Sequence, residues 1–155
     1  MKAVQLRPIR PDDRAFLYTV YAATRADEMA LFGWDDAQKQ TFLSMQFNAQ
    51  HQYYFSQFPH ASFAILELNN EGIGRLYIDR QQHKIHLMDI ALLPEFRGQG
   101  IGGALLRQLI DEAASTRKCV SIQVAHHNPA MRLYQRLGFV EVGDGGMYRQ
   151  MEWHP

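Results

Sequence analysis

The segment Arg97-Gly98-Gln99-Gly100-Ile101-Gly102-Gly103 has the residue types that hold an anion with main chain alone. Without Cβ atoms the backbone turns tightly and brings successive N–H groups against a ligand, and a helix that follows adds its positive end to the same place. A diphosphate suits that chemistry. Gly98, Gly100 and Gly103 also satisfy the GxGxxG spacing of dinucleotide-binding folds. A Rossmann unit, however, runs its strand directly into the first glycine and places an acid about 20 residues on for the ribose. Here Pro94 to Arg97 intervene, and the later strand, CVSIQVA, contains no acid. Nor does a GK[ST] sequence follow the glycines, so the lysine of a P-loop is missing and nucleotide hydrolysis is not indicated.

Other chemically capable residues are scattered. Asp89 interrupts the apolar run LMDIALL, where a carboxylate is costly unless it is paired or functional, and it is a candidate for catalysis or substrate contact. His126 and His127 are adjacent, and neighbours on an extended chain point to opposite sides, so they form no chelating pair. His83 and His86 flank a strand start and read as surface residues, and His60 and His154 read as solvated. The single cysteine, Cys119, has no partner for an internal disulfide and no CxxC spacing for zinc; it reads as a small apolar strand residue. No metal site is expected. No Ser or Cys sits in a GxSxG context, so a covalent intermediate on such a nucleophile is not suggested.

These residues must be positioned by elements that hydrophobic periodicity and turn chemistry outline. Val4 to Ile9 reads as a strand, and Pro11, Asp12 and Asp13 open a helix that runs to about Arg25. Gly33 interrupts the chain before Asp35 and Asp36 start a second amphipathic helix, ending near Phe55. Strands at Ser62–Leu68 and Ile73–Asp79 are joined through Asn69, Asn70, Glu71 and Gly72 as a hairpin, and another strand spans His86–Leu92. The glycine turn then leads into a helix reaching Thr116, followed by a strand at Cys119–Ala125. Asn128 caps a short helix with Pro129 at its first position and Gly138 at its end, before strands around Phe139–Val142 and Met147–Trp153. This order predicts an α/β (α+β) chain with a mixed, mostly antiparallel sheet of about seven strands and helices on both faces.

Size and charge bound the rest. A chain of 155 residues, 46% apolar and 21% charged, suffices for one core, so a single domain over 1–155 is expected. Sixteen basic residues balance sixteen acidic ones, leaving no net field to hold nucleic acid or an anionic membrane. The opening MKAVQLRPIRPDD lacks the apolar stretch of a secretory signal, and no run approaches the roughly 18 apolar residues of a membrane span. A cytoplasmic location is the expectation.

The stretch ALLPEFRGQGIGGALL resembles the coenzyme A signature of the GNAT superfamily of N-acetyltransferases, [QR]xxGx[GA], with Arg97, Gly100 and Gly102 filling the pattern. A second hallmark of that superfamily is matched by NPAMRLYQRLGF, Asn128 to Phe139, and the element order agrees along the chain. The resemblance implies a GNAT-like acyl-CoA fold, acetyl-CoA as cofactor and an amine as acceptor, either a small molecule or a peptide; members also often pair as homodimers. It implies that Arg97, Gly98, Gln99, Gly100, Ile101, Gly102 and Gly103 bind the pyrophosphate. Backbone groups at Ile90, Ala91 and Leu92, on a strand splayed from its neighbour, would hold the pantetheine arm, and one N–H would polarise the thioester carbonyl. Tyr134 matches the tyrosine placed near the sulfur as general acid, and Asn128 the motif's asparagine, a cofactor contact as well as a cap.

Acceptor contacts would come from the region of Asp27, Glu28 and Trp34, where the two carboxylates are candidates for the base and equally suit a solvated charge pair. Its aromatic run also includes Phe32, Phe42, Phe47, His51, Tyr53, Tyr54 and Phe55, which equally suit packing of helices onto the sheet. Members that acetylate protein N-termini often carry Glu where this chain has Gln123, a departure that disfavours such an acceptor. A coenzyme A-binding regulatory or interaction module without catalysis is the alternative reading.

Overall fold

The computed structural model describes residues 3–126 and 128–155. His127 therefore lies outside the described residues, and the reading of the His126–His127 pair stands on sequence alone. Seven strands form one sheet in the order β1-β2-β3-β4-β5-β7-β6. They are β1 (Gln5–Pro8), β2 (Ser62–Leu68), β3 (Glu71–Arg80), β4 (Lys84–Leu92), β5 (Cys119–Ala125), β6 (Val140–Asp144) and β7 (Tyr148–Trp153). The β4/β5 pair is parallel, while β1/β2, β5/β7 and β6/β7 are antiparallel. The chain divides into two compact units, 1–76 with 91–96, and 77–90 with 97–155.

In the first unit, α1 (Arg14–Thr24) follows a 3-10 turn at Pro11–Asp13, α2 spans Ala26–Ala30 and α3 spans Asp36–Gln57. Asp35 starts α3 through a reciprocal cap: its carboxylate accepts from the Gln38 N–H at 2.8 Å, and the Gln38 side chain accepts from the Asp35 N–H at 3.0 Å. The turn between β2 and β3 is shorter than the sequence suggests, with only Asn69 and Asn70 outside the strands. Both take positive φ, 56° and 64°, the left-handed geometry of a tight hairpin that asparagine tolerates. Leu17, Val20, Tyr21, Phe47, Ile65, Leu66 and Ile73 form this unit's core.

The second unit holds α4 (Ile101–Thr116) and α5 (Met131–Arg136) with β5, β6, β7 and most of β4. One face of α4 buries Leu105, Leu106, Leu109 and Ala113, the spacing of an amphipathic helix, while β5 buries Val120, Ile122 and Val124. Gly138 ends α5 at φ 100°, a value that favours glycine. The start of α5 differs from expectation. Pro129 and Ala130 form a turn, and Asn128 accepts the Ala130 N–H at 2.8 Å, so the helix begins at Met131 instead of at the proline. Asn128 thus caps a turn, using the short side chain's reach to a backbone two residues ahead.

Candidate active site

The glycine turn and the start of α4 form one backbone feature of the second unit. Gly98 and Gly100 take φ of 72° and 84°, values strained for any residue with a Cβ. The first bond of the α4 ladder runs from the Ala104 N–H to the Gly100 carbonyl at 3.0 Å, which leaves the N–H groups of Ile101, Gly102 and Gly103 ahead of that ladder. Its N-cap, Gly100, has no side chain with which to cap this end. A Cβ added at Gly98, Gly100 or Gly102 would meet nothing within 4 Å. Internal packing therefore does not demand glycine at Gly102, whose φ is also ordinary. Close approach of a ligand to bare backbone would favour glycine there, and a diphosphate is the kind of ligand that suits such a turn. Gly103 differs, because it is buried and a Cβ added there would lie 3.5 Å from the Arg107 side chain and 3.7 Å from that of Leu133.

The second feature is the divergence of β4 from β5. Their parallel register runs from Lys84 opposite Cys119 to His86 opposite Ser121. Beyond it, both strands continue, β4 through Asp89 and Ile90 and β5 through Ile122 to Ala125, whose ladder partners are on β7. Main-chain groups of a strand leaving its neighbour are the kind that pair with an extended ligand. Asp89 is half-buried there.

Tyr134 lies on α5, 6% exposed, with its ring stacked on Phe139 at 5.7 Å. Burial, and secondarily the negative charge of Asp89, push its phenol up to about 12. The two predicted catalytic groups therefore sense each other within one unit, and the phenol stays protonated throughout the neutral range.

Ala91 and Leu92, the end of β4, belong to the first unit. Gly74 on β3 is their close neighbour: a Cβ there would stand 2.2 Å from the Ala91 carbonyl oxygen, and the Leu93 N–H donates to the Ile73 carbonyl at 2.8 Å. Gly74 escaped the sequence reading, although an isolated glycine inside a strand is itself a signal of close backbone approach. Arg75 was missed as well. It is 2% exposed, donates to the Gln50 side chain at 3.0 Å and lies 6.0 Å from the Tyr21 ring centre.

The predicted acceptor residues make different contacts within the first unit. Glu28 lies on α2, a short helix that the periodicity did not reveal, and pairs with Arg25 at 3.0 Å. The same guanidinium donates to the Tyr21 hydroxyl at 2.7 Å. Trp34 stacks on Phe32 at 4.9 Å and meets Phe42 edge-on at 5.4 Å. It borders a groove of about 560 Å³ that also takes in Asp35, Gln38, Phe42 and Met45. Phe47, by contrast, is core, and His51 and Phe55 continue its stack toward Phe63. His86 is not the surface residue expected: it lies within β4, its Nδ1 is 2.8 Å from Ser121 Oγ, and burial lowers its pKa.

A sequence profile described as the acetyltransferase (GNAT) family matches residues 29–139. An uncharacterized N-acetyltransferase of Methanocaldococcus jannaschii is 34% identical over 90 residues, which is 51% of this chain and 39% of that protein. A Bacillus subtilis protein provisionally named as a [ribosomal protein bS18]-alanine N-acetyltransferase is 29% identical over 52% of this chain and 54% of its own. The chain thus spans about half or less of the curated relatives it matches. Among solved structures, the PaiA N-acetyltransferase of Thermoplasma acidophilum, in complex with coenzyme A, superposes with a TM-score of 0.73 over 99% of both chains at 16% identity. An acetyltransferase from Thermus thermophilus gives 0.71 at 21% identity over the full length of both. These two likenesses establish the fold, and no helix among the described residues is long and apolar enough to cross a membrane. With the profile covering most of its length and both family motifs in place, the chain belongs to the GNAT acetyltransferase family.

Proposed function

We propose that this protein is an acetyl-CoA-dependent N-acetyltransferase that passes the acetyl group directly to a primary amine. The observation that carries the reading is the run from Gly98 to Gly102: backbone turned at positive φ at Gly98 and Gly100, a helix whose N-cap is glycine, and glycine positions whose missing Cβ atoms would meet no protein atom. Such a cradle suits the pyrophosphate of coenzyme A, with Arg97, Gln99 and Ile101 completing the turn and Asn128 nearby in sequence to α5. When bound, the cofactor would supply an acetyl thioester whose carbonyl carbon takes the amine nitrogen as the carbon–sulfur bond breaks.

The residues of the chain orient and move charge around that exchange. Ile90, Ala91 and Leu92 offer main-chain groups to the pantetheine arm, and an N–H among them meets the negative charge that grows on the carbonyl oxygen. Tyr134, protonated because burial raises its pKa to about 12, donates its O–H toward the departing sulfur. The phenol would give its proton to the leaving thiolate as the carbon–sulfur bond breaks, and the tyrosinate would regain one from the amine by way of Asp89. Asp89 accepts that proton, directly or through water. Glu28 and Trp34 contact the acceptor, which is a small molecule or a peptide.

Free-thiol release from acetyl-CoA across a panel of amines tests the proposal, with coenzyme A binding followed in parallel by calorimetry. Amine-dependent thiol release is expected. Binding without release to any amine would instead leave a coenzyme A-binding module, and absence of both would remove the cradle's role.

A further inference from the structure

A side-chain set at the start of β5 and the end of β7 lies outside the residues assigned above to acetyl transfer. In the β5/β7 ladder Val120 stands opposite Trp153 and Ser121 opposite Glu152. Alternation along extended chains then puts Cys119, Glu152 and His154 on a shared face. Ligand atoms of all three, the Cys119 sulfur, a Glu152 carboxylate oxygen and a His154 ring nitrogen, lie within 4.8 Å of one another. His154 Nε2 and Glu152 Oε1 are already 2.8 Å apart.

Thiolate, imidazole and carboxylate are the donors that zinc takes, and the sulfur argues against magnesium or calcium. Bonds of about 2.0–2.3 Å in a tetrahedron hold ligand atoms roughly 3.3–3.7 Å apart. The widest separation must therefore close by about 1 Å while the 2.8 Å His154–Glu152 pair opens by about half as much, both within reach of side-chain rotation. The His154 side chain is 57% exposed and that of Glu152 29%, so both can adjust and the fourth position faces solvent. Cys119 is half-buried and outside any disulfide. One thiolate and one carboxylate match the charge of a divalent ion.

We propose that Cys119, Glu152 and His154 form a tetrahedral site for a zinc-class divalent cation, completed by water. The ion displaces the thiol proton and ties the first residue of β5 to the end of β7. The ligands escape a sequence reading because more than thirty residues separate Cys119 from the other two, and neither half shows a metal-binding spacing.

The test uses the full chain, reduced and stripped by a chelator, then titrated with Co²⁺. One ion per chain is expected, with a thiolate-to-cobalt charge-transfer band and the visible bands of tetrahedral cobalt, both abolished by added Zn²⁺. Cys119→Ser should remove the charge-transfer band. Glu152→Gln and His154→Ala should each weaken zinc binding roughly tenfold or more, while His126→Ala leaves it unchanged. Zinc should raise the Tm of the unmodified chain by a few degrees and that of Cys119→Ser by none. Cobalt spectra lacking the thiolate band, or zinc affinity of His154→Ala within twofold of the unmodified chain, would overturn the site. Because His154 is exposed, that second arm decides the matter even if Cys119→Ser folds poorly.

Discussion

The glycine turn at 97–103 and the aromatic stretch at 32–55 are both conspicuous in the sequence, but only one of them translates directly into chemistry. In the turn, residue type follows from backbone: φ of 72° and 84° at Gly98 and Gly100, and bare N–H groups at the head of α4. Nothing about neighbouring side chains is needed to read it. In the aromatic stretch, residues of one chemical class meet opposite fates, with Phe47 2% exposed in the core and Trp34 37% exposed beside a groove. Their roles depend on which way each ring faces, and that is settled by tertiary packing. A site borne by main chain is legible in a way that a site lined by side chains is not.

The sharpest way to break this contrast is at Gly100. A valine there combines left-handed backbone strain with a branched side chain in the cradle, so coenzyme A affinity measured by calorimetry should fall about a hundredfold or more. Gly102→Ala refines the test, because φ there is ordinary and the added Cβ meets open space. Helix propensity alone should stabilise that variant by up to about 1 kcal/mol while coenzyme A binding weakens. A more stable protein that binds equally well would show that the glycine serves no ligand.

On the aromatic side, Phe47→Ala should cost about 3–5 kcal/mol in denaturant unfolding, since it empties a core position between Tyr18 and Tyr21. Trp34→Ala should cost less than about 1 kcal/mol. Its effect should fall on the KM of the acceptor. Equal losses of stability from both substitutions would erase the division between core rings and groove rings.

The same contrast explains what the sequence revealed elsewhere. Strands at Ser62–Leu68 and Cys119–Ala125 and the capped start of α3 follow from alternation and from the side chains of Asp35 and Gln38, all local signals. The five residues of α2 are too few for periodicity to register, and Asn128 satisfied a turn before the helix that it was expected to cap. Gly74 and Arg75 depend on long-range partners, Ala91 and Gln50, and nothing beside them in sequence names those partners. Tyr134 reached the candidate site only through motif resemblance, and its proximity to Asp89 is a product of the fold.

Tyr134→Phe tests the junction of the two kinds of information. Loss of a proton donor poised at the sulfur should lower kcat about a hundredfold, with coenzyme A affinity within about twofold of the original. Equal falls in binding and turnover would make the ring a packing element.

A smaller effect probes the same hydroxyl directly. Tyrosinate absorbance of the unmodified chain minus that of Tyr134→Phe should titrate near 12, against an ordinary value of 10.0. The folded state then holds this proton more tightly than the unfolded chain does. The resulting stabilisation is complete below about pH 10 and disappears as pH rises through about 12, so between those values the stability of the unmodified chain should fall more steeply with pH than that of Tyr134→Phe. Burial is the larger cause and the Asp89 charge the smaller, so Asp89→Asn should bring the titration only part of the way back. A full return to 10.0 would mean that the carboxylate, and not the desolvated pocket around α5, keeps the phenol protonated.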